Sequence, residues 1–571
     1  MGMFDRIRKG FRTRSGKARG DKGPLDIPGA PMVEDPGTIL TKWRLEAISQ
    51  GIQEGPAKAV HIETSGWPDP ESREVAARLD SMGINIPWGY GQEFGEKDFK
   101  VIGLRAGGIG VVFFVESTRF GKKRLYAAKT LNSFLQPNYL NLPGWQQEKI
   151  ALAFLEEALP WLEMGQHPHI VPVHLLKNII HPQFKRNVPF VLSEFMPMGG
   201  LRGYLKGKGK LGLRESLALG IQLCDGLLHA YKHGLKAHLD LKPDNIMVYG
   251  DGVFKVTDFS ANVIGTPGYM APEQVIAWWR SQGKWVVPYE FPIDQRADQF
   301  AVGLILLEAL RGSEALRLCR EACMNLEGAR KYIEKGLREI TDDSLPENLK
   351  GILGHVFSPK PNDRFPDLSA LKKEFLAAYE MEGRYNVPRV EIDDSADWWF
   401  DRGGAFYGIG RALSAEAPYI EALKRFSAIP GTEIDQANCL MNLGNIYRDT
   451  GQVSQAEPHY QEALNRFSAI PGREIDQASC LMNLGNVYWD TGQVSQAEPH
   501  YQEALKRFSA IPGTEISPAR CLANLSILYF AVNNPPQARK FALEAIKLCE
   551  SFSPEATAQI RAGCQEILLR I

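Results

Sequence analysis

The chain has 571 residues, of which 44% are hydrophobic and 23% charged, and its formal net charge is −1. That length exceeds one ordinary core and calls for two or more domains. The near-neutral balance gives no electrostatic case for nucleic acid, and no apolar run reaches the length of a membrane span.

Residues 1–35 read as a basic, disordered tail: Arg6, Arg8, Lys9, Arg12, Arg14, Lys17, Arg19 and Lys22 are interleaved with Gly and Ser. No apolar segment accompanies them, so this is not a secretory signal. Arg6 stands where a myristoylation signal carries Ser or Thr. These features together point to a cytoplasmic protein. Residues 36–95 read as a partly helical extension. Apolar spacing predicts one helix over 38–53 and a second near Pro70–Met82, where Ser72 could cap it.

From residue 96 the pattern changes. Apolar residues alternate from Val101 to Val115 around a glycine cluster, and a further run ends in Ala127-Ala128-Lys129. This predicts a strand, a glycine turn and two strands. The cluster Arg105-Ala106-Gly107-Gly108-Ile109-Gly110-Val111-Val112 suits close backbone approach to phosphates, which side chains would block. Lys129 follows Gly110 by nineteen residues. Further on come Phe154-Leu155-Glu156-Glu157-Ala158, His167-Pro168-His169-Ile170-Val171, and the apolar run Val191-Leu192-Ser193-Glu194-Phe195-Met196. A helix predicted over Leu217–His233 leads into His238-Leu239-Asp240-Leu241-Lys242-Pro243-Asp244-Asn245. Then follow Thr257-Asp258-Phe259-Ser260, Gly265-Thr266-Pro267-Gly268-Tyr269-Met270-Ala271-Pro272-Glu273, Asp298 and Arg364.

In that order these stretches resemble the signature set of eukaryotic-type Ser/Thr protein kinases. The resemblance covers about half the chain and implies a bilobal α+β kinase fold over 96–382. It implies Asp240 as the base for a substrate hydroxyl, Lys242 beside the moving phosphoryl group, and Asn245 and Asp258 as ligands of Mg2+. Lys129 would pair with the phosphates of ATP and with a helix carboxylate, Glu157 by register or else Glu156. Gly107, Gly108, Gly110, Val112 and Ala127 would line the nucleotide, and the backbones of Glu194 and Met196 would hold adenine. Glu273 would pair with Arg364.

Three departures stand out. Arg105 replaces the first glycine of the loop and either crowds the nucleotide or adds a cation near it. Leu239 replaces the usual Arg, which makes this a non-RD sequence. Ser260 replaces the Gly of D-F-G. Only twelve residues separate Asp258 from Ala271, so control by activation-loop phosphorylation is not expected, and Thr266 is read as a support of the catalytic loop. The aromatic stretch from Gln274 to Arg296 reads as extra packing or as a docking surface.

Residues 383–396 read as a linker. Beyond them Leu440, Leu443, Gly444, Tyr447, Gly451, Ala456, Tyr460 and Ala463 recur 41 residues later at Leu481, Leu484, Gly485, Tyr488, Gly492, Ala497, Tyr501 and Ala504. Cys439, Cys480 and Cys521 keep the same interval, so these thiols read as small buried hydrophobes rather than ligands or disulfides. The repeats resemble tetratricopeptide repeats, of the longer type found in kinesin light chain, with looser units at both ends. Over 397–571 this implies an all-α solenoid that binds a protein or peptide. Asn442, Asn445, Asn483 and Asn486 are candidates to hold a peptide backbone or else form a solvated face. The whole is read as a Ser/Thr protein kinase using ATP and Mg2+, with repeats that recruit a substrate or partner. The alternative is a pseudokinase scaffold that binds nucleotide and partners without phosphotransfer.

Overall fold

The computed structural model describes residues 67–571, less 83, 85, 108–109, 251, 260–264, 285–290, 336, 338–344, 384, 387–389, 391, 512–515 and 552–553. The basic tail, the helix expected over 38–53, Gly108 and Ser260 lie outside the described residues. Two compact units divide between Asp393 and Asp394.

The first unit opens with helix α1 (Pro70–Ser81). Its N-cap is Asp69, whose carboxylate accepts from the Ser72 N–H at 2.8 Å. Ser72 itself was the expected cap, but its hydroxyl is turned to the neighbouring strand. A six-stranded antiparallel sheet follows, formed by β1 (Glu93–Phe94), β2 (Glu96–Ala106), β3 (Gly110–Ser117), β4 (Arg124–Leu131), β5 (Val173–Ile180) and β6 (Asn187–Glu194) in the order β1-β2-β3-β4-β6-β5. Strand alternation separates two faces. Val111, Phe113 and Val115 are buried on one, where Phe113 joins Trp88, Phe94 and Phe190 in a mutually packed set with centroids 4.9–6.0 Å apart. Val112, Ala127 and Lys129 fall on the other face, half-buried, with Val112 opposite Lys129 in the β3–β4 register. Helix α2 (Gly144–Glu157) buries Ile150, Ala151, Phe154 and Leu155.

The helical lobe of this unit is built on α3 (Leu213–Lys232), a two-stranded ribbon of β7 (Ile246–Val248) and β8 (Phe254–Val256), α4 (Pro272–Ser281), α5 (Gln295–Arg311) and α6 (Leu368–Met381). Helix α5 is buried on nearly all sides, from Ala297 to Ala309. A helix so placed sits at the centre of a lobe, and here it carries a carboxylate, Asp298, into the core. In the aromatic stretch after Glu273, Trp279 is buried and its indole donates to the Ala322 carbonyl at 2.9 Å, which is packing. Trp285 and Tyr289 lie outside the described residues.

The second unit is a run of antiparallel helices: α7 (Ala396–Gly408), α8 (Ala412–Ser427), α9 (Glu433–Asp449), α10 (Val453–Ser468), α11 (Glu474–Asp490), α12 (Val494–Ser509), α13 (Ile516–Ala531), α14 (Pro535–Cys549) and α15 (Pro554–Arg570). The 41-residue period is one helix pair. Within the first three pairs a glycine meets a tyrosine ring: Gly403 with Tyr419, Gly444 with Tyr460, Gly485 with Tyr501. Between pairs, Tyr447 donates to Glu416 and Tyr488 to Glu457, both at 2.9 Å, so each repeat is tied to the one before it. Asp435 and Asp476 lie in the first turns of α9 and α11, where a negative charge complements the helix dipole. All eight cysteines are free thiols, and seven of them are buried. No helix among the described residues is long and apolar enough to cross a membrane.

A β-carbon on Gly485 would lie 2.6 Å from the Tyr501 ring. Gly485→Ala should therefore destabilise the repeat unit by about 1–3 kcal/mol through overpacking, seen as a lower urea midpoint for its helical signal.

Candidate active site

The site is organised from beneath by Asp298. Its carboxylate is fully buried and accepts from two consecutive backbone N–H groups, His238 through Oδ2 and Leu239 through Oδ1, each at 2.7 Å. The Tyr231 hydroxyl donates to Oδ2 at 2.5 Å. Burial pushes this carboxyl up, against the His238 ring, the Tyr231 hydroxyl and the two amides, which act to lower it. Leu239 sits at φ 61°, in the left-handed region, a conformation that costs a β-substituted residue roughly 1–3 kcal/mol. Two charge-assisted hydrogen bonds offset that cost. Gln274 holds the same residue from the other side, donating to the Leu239 carbonyl at 2.8 Å.

One residue on, Asp240 projects into the site, its side chain 12% exposed. Lys242 Nζ donates to its Oδ2 at 2.8 Å, and the Thr266 hydroxyl donates to its Oδ1 at 2.5 Å. Lys242 also reaches Thr266 Oγ1 at 2.7 Å, closing a triangle. Thr266 thus supports the catalytic loop, as expected. Asn245 Nδ2 donates to the Asp240 carbonyl at 2.9 Å, so its Oδ1 remains as the acceptor end of the amide.

Asp258 lies after β8, also at positive φ (65°), and the ring of Phe259 packs on that of His238 at 5.1 Å. The Asp258 carboxylate meets Lys129 Nζ at 2.6 Å. Burial acts to raise this carboxyl, but the Lys129 charge and hydrogen bond outweigh it and hold it below the usual range. Lys129 thus closes on Asp258, while Glu157 is the last residue of α2.

The oxygen donors of Asp258 and Asn245 fit a hard divalent cation that keeps water and takes its other ligands from phosphate. The nucleotide wall also has the right form. Gly107 N–H donates to the Gly110 carbonyl at 2.8 Å, closing the turn. A β-carbon on Gly110 would lie 3.1 Å from the Thr130 carbonyl and 3.5 Å from Lys129 Cε, so a side chain there would crowd the lysine. Val112 and Ala127 share the Lys129 face. Glu194 ends β6, and its side chain is held by Lys255 at 2.9 Å, a contact that no sequence motif announced. Met196 is buried, and its carbonyl accepts from the Gly199 N–H at 3.1 Å.

Remote from the cleft, Arg364 and Glu273 form a bidentate pair at 2.7 and 2.8 Å with essentially no exposure. In the repeats, the four asparagine candidates divide. Asn445 accepts from Tyr460 at 2.7 Å and from Asn483 at 3.3 Å, and Asn486 accepts from Tyr501 at 2.9 Å. These oxygens are tied into the solenoid itself.

Comparison with known proteins agrees with this geometry. Residues 102–376 match the family model of the protein kinase domain, and residues 394–469 and 476–551 match that of the tetratricopeptide repeat. The chain therefore carries a protein kinase domain followed by tetratricopeptide repeats. It is 26% identical over 256 residues to a probable serine/threonine-protein kinase of Clostridium acetobutylicum, covering 41% of this chain and 36% of that one. It is 23% identical over 293 residues to the probable serine/threonine-protein kinase PknB of Lactococcus lactis, covering 49% and 41%. With a serine/threonine-protein kinase of Arabidopsis thaliana it shares 30% over 183 residues, covering 32% and 30%. The chain thus spans roughly a third of the length of these relatives.

Removing one partner of a buried ion pair leaves the other charge uncompensated, at a cost of about 3–5 kcal/mol. Glu273→Ala should lower the stability of the first unit by that amount, read from urea unfolding followed by tryptophan fluorescence.

Proposed function

We propose that this protein is a Ser/Thr protein kinase that transfers the γ-phosphoryl group of ATP to a protein hydroxyl. The observation that carries the reading is the convergence of Asp240, Lys242, Asn245 and Thr266 in one hydrogen-bonded set, with Lys129 and Asp258 paired across the cleft. A bound Mg2+ would neutralise phosphate charge, held by Asp258 and the Asn245 oxygen. Asp240 accepts the proton as the substrate oxygen bonds to the γ-phosphorus and the bond to the β–γ bridging oxygen breaks, releasing ADP. Lys242, already beside Asp240, neutralises charge on the transferring group. Lys129 exchanges part of its contact with Asp258 for the phosphates. Glu157 would serve as a second carboxylate for the lysine. Gly107, Gly108, Gly110, Val112 and Ala127 line the nucleotide, and the backbones of Glu194 and Met196 bind adenine.

The position of Arg105 bears on the pseudokinase alternative. Its guanidinium is engaged with Asp69 and Glu71, which ties it to the start of α1. We further propose that control is not by activation-loop phosphorylation. Leu239 offers no cation to read a phosphate, and Thr266 is committed to Asp240 and Lys242. The tetratricopeptide repeats are proposed to recruit a protein substrate or regulator, and the protein to act in the cytoplasm.

Phosphorylation of a Ser/Thr peptide or of the protein itself, with Mg2+ and ATP, tests this. Asp240→Asn should lower kcat about 10²–10⁴-fold, the range for loss of a general base, with nucleotide binding retained. Equal rates for wild type and variant would defeat the proposal.

A further inference from the structure

Helix α1 lies outside every kinase motif of the sequence, yet it touches three consecutive residues that lead into the glycine turn. Strand β2 pairs with β3 on one side only at this point, because β1 reaches no further than Lys100. Leu104 would therefore present its backbone N–H and C=O at an open edge. The Ser72 hydroxyl, fully buried, satisfies both: it accepts from Leu104 N–H at 2.9 Å and donates to Leu104 C=O at 3.2 Å. The Ser72 hydroxyl thus stands in for a strand partner at the N–H and shares the carbonyl with Arg105 Nη1, which donates to it at 2.7 Å.

Arg105 is held next. Its Nη1 donates to Ser72 Oγ at 3.1 Å and Asp69 Oδ1 at 3.3 Å, and Nη2 lies 2.9 Å from Glu71 Oε2. Its guanidinium also covers the Phe114 ring of β3 at 5.3 Å. Ala106 is third, its carbonyl accepting from Arg78 Nη2 at 3.0 Å. The next residue is Gly107, which opens the turn. Arg105, the departure from the glycine pattern, is therefore the side chain by which the helix grips the loop.

We propose that α1 is a positioning element for the phosphate-binding turn, acting through Ser72, Arg105 and Arg78. A glycine turn is mobile by itself, and a nucleotide that must order it pays in affinity. Fixing the three residues before the turn lowers that ordering cost, so the effect belongs to nucleotide affinity rather than to the chemical step. This inference rests on the kinase reading above.

The test uses the full chain and two variants, Ser72→Ala and Arg105→Ala, with Ser72→Thr as the conservative control that keeps the hydroxyl. Nucleotide Kd is measured by calorimetry with MgATP, and kcat and KM by peptide phosphorylation. Both alanine variants should raise Kd and KM for ATP about fivefold or more, while kcat moves less than about threefold. Ser72→Thr should stay nearer to wild type than Ser72→Ala. If Ser72→Ala does not fold, Arg105→Ala decides, since that side chain is 34% exposed. Unchanged Kd and KM in the folded variants, or a fall in kcat with KM held, would overturn the inference while leaving the kinase reading intact. A wild-type chain that neither binds MgATP nor transfers phosphate would overturn both.

Discussion

A buried carboxylate holds the catalytic loop in place. Asp298 enters the core on helix α5 and spends both oxygens on the amides of His238 and Leu239. This holds Leu239 in the left-handed region, and the reversal sends Asp240 into the cleft toward Lys242 and Thr266. A charge at 0% exposure is tolerated because its acceptor sites are filled by two amides and the Tyr231 hydroxyl. The strain at Leu239 and the desolvation of Asp298 each cost free energy, and each is balanced by the other's hydrogen bonds. The nucleotide side is built differently, from sheet alternation that puts Val112, Ala127 and Lys129 on one face, and from an outside helix that steadies the turn above them.

Much of the site was legible because phosphoryl transfer demands particular side chains at close sequence spacing. Asp240, Lys242 and Asn245 fall within six residues, so their close approach was visible in the spacing even though the Asp298 anchor beneath them was not. The support from Thr266 was legible for a related reason: a short segment after Asp258 can only fold back on the loop. Contacts across elements were less legible. The Lys129 pairing with Asp258 joins β4 to the segment after β8, and periodicity within either does not announce it. Lys255 on Glu194 joins β8 to β6, and nothing in either strand's pattern marks it.

The N-terminal extension shows the same limit at another place. Its helix was visible in the apolar spacing, but Ser72 was read as a cap because serine favours that position. Asp69, three residues earlier, takes the cap, and Ser72 is drawn 32 residues along the chain to Leu104. Trp88, which completes the aromatic core behind the sheet, carried no pattern of its own. In the repeats the fold was legible from the period, since a Gly-Tyr contact recurs in the first three helix pairs. The roles of single asparagines were not, because a polar residue on an inner helix face can serve a ligand or the neighbouring repeat, and Asn445 and Asn486 serve the repeat.

Asp298 is the anchor of Asp240, the proposed general base. Asp298→Asn keeps the shape but replaces one acceptor with a donor, so it opposes one of the two loop amides. Single-turnover phosphoryl transfer from ATP should slow by about tenfold or more, with MgATP affinity within about twofold of wild type. A folded Asp298→Asn protein that transfers phosphate at the wild-type rate would contradict this anchoring role.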